Sequence, residues 1–143
     1  VQTKVEVPVI ASMEGMLRIG EVADRVGLSL RSVRFYEESG LLVPEARSEG
    51  GFRLYTETQV DRLLLIKRMK PLGFRVEQMR ELLNASDTLR SADSTRAEQD
   101  EARKTIREFA VLAAERCEEL RTQLSRADEF AKRLLEETLV QAD

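Results

Sequence analysis

Residues 19–55 read IGEVADRVGLSLRSVRFYEESGLLVPEARSEGGFRLY, a stretch that passes from helical spacing to hairpin chemistry. Ile19, Val22, Ala23 and Val26 recur at i, i+3, i+4 and i+7, giving a short helix one apolar stripe. Gly27 ends that helix, because glycine enters the left-handed turn without a Cβ clash. Ser29 stands at an N-cap position, and a second helix is expected over 30–39, closed by Gly40. Leu30, Val33 and Tyr36 are expected to face the first helix. Arg31, Ser32 and Arg34 then lie outward or near the helix start, where groove-reading side chains sit. Two short helices about a tight turn make a helix-turn-helix.

After Leu41-Leu42-Val43-Pro44 comes Arg47-Ser48-Glu49-Gly50-Gly51-Phe52-Arg53-Leu54-Tyr55. Gly50-Gly51 suits the positive backbone angles of a tight hairpin turn, and Phe52, Leu54 and Tyr55 suit a short strand. A basic, aromatic hairpin directly after a helix-turn-helix is a wing. Thr56 opens a third helix with Gln59 as its capping-box partner. Val60, Leu63, Leu64 and the stem of Lys67 form the expected inward stripe. Lys67, Arg68 and Lys70 crowd the end of this helix, where cations suit its dipole. Pro71 stops it, Leu72-Gly73-Phe74 turns the chain, and a fourth helix is expected over 76–83.

SVRFYEESGLL, RSEGGFRLY and Leu72-Gly73-Phe74, in this order, resemble the MerR family of bacterial transcription regulators over about residues 17–83. The resemblance implies a homodimer on a two-fold site in double-stranded promoter DNA. There it would act with RNA polymerase by bending and untwisting an overlong promoter spacer. Arg34 and Tyr36 match family positions that hold the phosphate backbone, as do Arg47 and Arg53 in the wing. Gly51, Phe52 and Tyr55 complete the wing's contact set. Phe52 departs from the tyrosine frequent in the family, so its contact with the sugar-phosphate chain is by packing alone. The third and fourth helices are implied to act as a second wing, with Lys67, Lys70 and Arg75 as backbone contacts. For each of these three, an ordinary solvated or dipole-compensating charge is an equal reading. Arg75 replaces a serine-like cap frequent in the family.

Base reading is assigned to Arg31, in the first turn of the second helix, because arginine can grip guanine O6 and N7 together. Ser29 and Ser32 are candidates for phosphate or base contact, although capping is the first duty of Ser29.

Net charge supports this division of labour. Residues 16–80 carry 12 Lys/Arg against 9 Asp/Glu, whereas residues 81–143 carry 10 against 15, within an overall −3. Only the front half is a candidate for phosphate contact.

Residues 1–15 hold Val5, Val7 and Val9 in alternation, with Pro8 among them and small residues after; a strand and a disordered extension are both open, the second favoured. The winged helix-turn-helix is expected over 16–84 and a polar connector over 85–94. From Thr95, with Glu98 as capping partner, a long helix is expected. Ala102, Ile106, Phe109, Ala113, Cys117, Leu120, Leu124 and Ala127 step by 4, 3, 4, 4, 3, 4 and 3. That is heptad spacing with one four-residue stutter, a coiled-coil dimer seam over 95–127. The family arrangement implies that two such helices pack antiparallel. Residues 128–143 either extend this helix or form a short one. The expected fold is therefore mainly α, with four helices and a hairpin wing ahead of the dimer helix and a short C-terminal helix.

With no histidine and one cysteine, the chain has no intrachain disulfide and lacks the usual zinc ligands. The family's metal sensors cluster cysteines near the end of the dimer helix, and no cysteine follows Leu120 here. No cofactor is expected. Too few residues follow the seam for a large drug-binding domain. Cys117 reads as a small apolar knob of the seam, in preference to a thiol sensor activated by Arg116 and Arg121. No catalytic constellation is present, which argues against an enzyme. No membrane span or signal pattern is seen, so a cytoplasmic protein is expected. The competing reading is a DNA-architectural, excisionase-like protein, against which the long helix counts.

Overall fold

The computed structural model describes residues 6–140. Its elements in chain order are β1 (Val9–Ile10), β2 (Leu17–Arg18), α1 (Ile19–Val26), α2 (Leu30–Glu38), β3 (Ala46–Ser48), β4 (Arg53–Tyr55), α3 (Glu57–Met69), α4 (Val76–Arg90) and α5 (Arg96–Val140). A single 3-10 turn at Lys70–Leu72 separates α3 from α4.

Local chemistry sets the helix ends. Gly27 caps α1 in the left-handed conformation (φ 71°), and its N–H reaches the Ala23 carbonyl. Ser29 Oγ accepts the Ser32 N–H at 3.1 Å, the N-cap bond of α2. Gln59 Oε1 accepts the Thr56 N–H at 2.6 Å at the start of α3. At the start of α5 the capping box is reciprocal: Thr95 N–H donates to Glu98 Oε2 (2.9 Å) and Glu98 N–H to Thr95 Oγ1 (3.1 Å).

The core joins Val22, Ala23 and Val26 of α1 to Val33 and Tyr36 of α2, and these to Leu41, Leu42 and Tyr55. Val60, Leu63, Ile66 and Met69 supply the α3 face. Two expectations are corrected here. Leu30 is 42% exposed, and Leu28 of the turn packs against the core in its place. Leu64 likewise faces out, and Ile66 completes the stripe through Leu63.

Among the described residues the sheet has four strands in the order β1-β3-β4-β2, two more than the expected hairpin. Leu17 and Arg18 pair antiparallel with Tyr55 and Leu54. Val9 and Ile10 pair parallel with Arg47 and Ser48, so part of the N-terminal extension is a strand, against the favoured reading of a disordered tail. In the hairpin turn only Gly51 takes a positive φ (85°). Gly50 lies beneath the Phe52 ring.

The largest correction concerns the helices after the wing. Helix α4 continues to Arg90, through the expected connector, because tertiary contacts hold its polar second half. Arg62 Nη1 grips both Asp87 oxygens at 2.9 and 3.0 Å, and Ala85 is buried. Helix α5 then runs unbroken to Val140, 45 residues, with no separate short helix after residue 127 among the described residues. Its first part is not a free seam. Ala102 and Phe109 are buried within their own chain, and the Phe109 ring meets Phe74 edge-on at 5.7 Å. Ile106 and Ala113 line the same contact, around an apolar cleft of about 310 Å³ shared with Leu65, Phe74 and Leu82. The far half of the helix has no partner among the described residues: Leu120, Leu124 and Ala127 are exposed, as are Phe130, Leu134 and Leu139.

Candidate nucleic-acid interface

One wall of the candidate interface is the outer face of α2. Arg31, Arg34 and Phe35 are exposed there, with Phe35 at 51%. Arg31 and Arg34 form no ion pair among the described residues. Packing of Val33 and Tyr36 onto the core fixes which face that is. The end of the helix is held from behind by Arg80, whose Nη2 donates to the Ser39 carbonyl. Arg62 Nε donates to the Leu41 carbonyl at 2.6 Å.

The other wall is the wing. Arg18, Arg34, Arg47 and Arg53 line one cleft of about 250 Å³ with Ile19, Gly51 and Phe52. The Arg18 guanidinium lies 4.7 Å from the centre of the Phe52 ring, a cation–π contact. Arg47 Nη1 donates to the Gly51 carbonyl at 3.1 Å. Arg53 Nε sits 2.6 Å from Glu37 Oε1, a charge contact whose angle falls outside hydrogen-bond geometry. Four guanidinium groups against one acidic partner leave the cleft strongly cationic, suited to a phosphate chain.

Several nominated residues stand elsewhere. Tyr55 is fully buried and its hydroxyl donates to Glu37 Oε2 at 2.5 Å, so it supports the wing from inside. Burial and that bond push its phenol well above the ordinary range. Tyr36 is almost wholly buried, which raises its phenol too; its hydroxyl has no hydrogen-bond partner among the described residues. Ser29 Oγ is occupied as a cap and also donates to Ser32 Oγ at 3.0 Å. Lys67 Nζ donates to the Val26 carbonyl at 2.7 Å, sealing the C-terminal end of α1. Lys70 and Arg75 are exposed on the turn between α3 and α4. Gln78 Oε1 accepts the Arg75 N–H at 3.0 Å, recovering part of the capping that arginine at this position gives up.

Two residues of this surface went unnominated. Phe35 follows Arg31 at i+4 on the same face, a spacing visible in the sequence. Arg18 reaches the cleft only through β2–β4 pairing, for which no local signal exists.

Cys117 is half-buried on α5. Its cationic neighbours are taken by carboxylates: Arg116 Nη1 lies 3.4 Å from Glu119, and Arg121 pairs with Glu118. Among the described residues no cluster of three metal-ligating side chains occurs, and no helix is long and apolar enough to cross a membrane.

This geometry agrees with comparisons to known proteins. Residues 17–86 match the family described as MerR HTH family regulatory protein. The transcriptional regulator CueR of Escherichia coli O6:H1 is 34% identical over 110 residues, covering 76% of this chain and 78% of that one. CueR of Vibrio cholerae serotype O1 is 40% identical over 86 residues, where the chain spans 62% of the relative's length and 59% of its own. Among solved structures, lead-bound PbrR691 from Ralstonia metallidurans superimposes with a TM-score of 0.53 at 31% identity over 84% of each chain. HiNmlR bound to promoter DNA gives a TM-score of 0.58 over 87% of this chain and 88% of that one; at 22% identity it supports the fold alone. The chain belongs to the MerR family of helix-turn-helix regulatory proteins.

Proposed function

We propose that the protein is a cytoplasmic, homodimeric transcription regulator that binds a two-fold site in double-stranded promoter DNA. The observation that carries this reading is the convergence of Arg18, Arg34, Arg47 and Arg53 on one cleft beside the exposed face of α2. Arg31 reads a guanine edge from the major groove, and Phe35 supplies apolar contact to a thymine methyl. Ser32 stands beside Arg31 on the first turn of α2 as a secondary contact. The cleft arginines and the Phe52 ring take the phosphate chain, with Gly51 allowing close approach of the wing's backbone. Tyr36 offers its unpartnered hydroxyl to the same chain. Lys70 and Arg75 extend this grip past the end of α3.

The second copy is recruited by the far half of α5. Cys117, Leu120, Leu124 and Ala127 continue the heptad seam, and this length of exposed apolar surface needs a partner. Ala102, Ile106, Phe109 and Ala113 instead anchor the helix to its own DNA-binding unit. The dimer brings two recognition helices to one face of the duplex. Bending and untwisting an overlong spacer then realigns the promoter elements for RNA polymerase, a deformation costing several kcal/mol that the phosphate contacts offset.

Selection of bound genomic fragments followed by footprinting tests this. A two-fold footprint between the two promoter elements, over an overlong spacer, is the expected result. Scattered footprints without promoter geometry would support an architectural protein instead.

A further inference from the structure

Residues 8–10 precede the stretch that the family description matches, yet they are built into the wing. Val9 and Ile10 pair in parallel register with Arg47 and Ser48, and the Arg47 N–H donates to the Pro8 carbonyl at 2.8 Å. Pro8 stands just ahead of the strand, where its missing N–H costs the ladder nothing. The period of two puts Val9 on the face of Arg47 and Ile10 on that of Ser48. Ser48 is itself buried, and its Oγ accepts the Phe52 N–H at 3.1 Å, so β1 lies against the residue that closes the hairpin. Strands β3 and β4 have three residues each; β2 covers the outer edge of β4, and only β1 covers that of β3.

We propose that residues 8–10 form a third strand of the wing that positions Arg47 against the DNA phosphate chain. With β1 in place, β3 is held on both edges: Ser48 N–H donates to the Phe52 carbonyl at 2.9 Å on the β4 side, and Arg47 N–H donates to the Pro8 carbonyl on the β1 side. The Arg47 side chain is then steered over the turn onto the Gly51 carbonyl. Without β1 the Arg47 N–H lies on an open edge, and ordering the wing must be paid at the moment of binding. The proposal rests on the reading of Arg47 as a phosphate contact.

The test is Ile10→Pro in the full chain, which removes the strand's N–H donor, beside Ile10→Val, which keeps a β-branched residue. Two readouts are taken: hydrogen exchange of the Arg47 amide without DNA, and the salt dependence of affinity for a random-sequence duplex. Ile10→Pro is expected to speed exchange of that amide at least tenfold. It should also reduce the slope of log affinity against log salt by about 0.9, one phosphate contact. Ile10→Val should match the parent in both. General destabilisation would lower the affinity without moving the slope. An unprotected Arg47 amide in the parent, or an unchanged slope in Ile10→Pro, overturns the proposal. Arg47→Ala separates the two ideas. If it lowers the slope and Ile10→Pro does not, the positioning role fails alone; if it leaves the slope unchanged, the phosphate contact fails with it.

Discussion

The Tyr55 hydroxyl donates to Glu37 Oε2 over 2.5 Å, tying the last residue of the wing hairpin to the last turn of the recognition helix. Glu37 holds Arg53 with its other oxygen, so one carboxylate links the two walls of the candidate interface. Removing the hydroxyl leaves Glu37 short of a charge-assisted bond, worth roughly 1.5–3 kcal/mol. Tyr55→Phe should lose about that much stability in denaturant titration.

The same bond has a pH signature. The folded phenol titrates above its ordinary value of 10.0, so its contribution is fully present below pH 10 and is lost as pH rises beyond it. The stability gap between parent and Tyr55→Phe should therefore narrow above pH 10. A gap that widens there would contradict the assignment.

Arg31 and Arg34 should fail differently. Arg31→Ala is expected to weaken a selected site by about 1–3 kcal/mol while leaving random duplex almost untouched. Arg34→Ala should weaken both alike and flatten the salt dependence. Anisotropy titrations against the two duplexes measure this.

Lys67 provides a contrast within the same domain. Lys67→Met keeps the stem but removes the hydrogen bond to Val26, so about 1–2 kcal/mol of stability should go. The salt slope of DNA binding should stay where it was.

The two halves of α5 should respond in opposite ways. Phe109→Ala opens a hole against Phe74 and should cost about 3–5 kcal/mol in unfolding. Leu124, 62% exposed in the single chain, should affect unfolding only through the dimer equilibrium, and so in a concentration-dependent way. Leu124→Glu should instead give a monomer by light scattering at micromolar concentration.

What was legible in the sequence was what neighbouring residues decide. Ser29, Thr56 with Gln59, and Thr95 with Glu98 cap the helices they were expected to cap, since each acts within one turn. The recognition helix and wing were legible for the same reason. Contacts between distant residues were not. Nothing local to Asp87 announces Arg62, so the polar composition of residues 85–90 reads as a connector where the structure has a helix. Ala102–Ala113 keep heptad spacing whether the surface they meet belongs to a second chain or to Phe74, and the pattern cannot distinguish them. Tyr55 has the composition of a wing contact, and only its burial shows that it points inward.

Helix α5 is pinned to the DNA-binding unit at Phe109 and contains no glycine or proline along its length. The pinned end and the free end are therefore coupled in angle as well as distance. Each residue added between Ala113 and the dimer axis would lengthen the rod by about 1.5 Å and swing the recognition helix around it by roughly 100°. Seven residues bring it back to nearly the same bearing. In the proposed dimer, half-site spacing can thus be altered only in steps that restore the bearing, such as seven or eleven residues, as the teeth of a gear permit only certain settings.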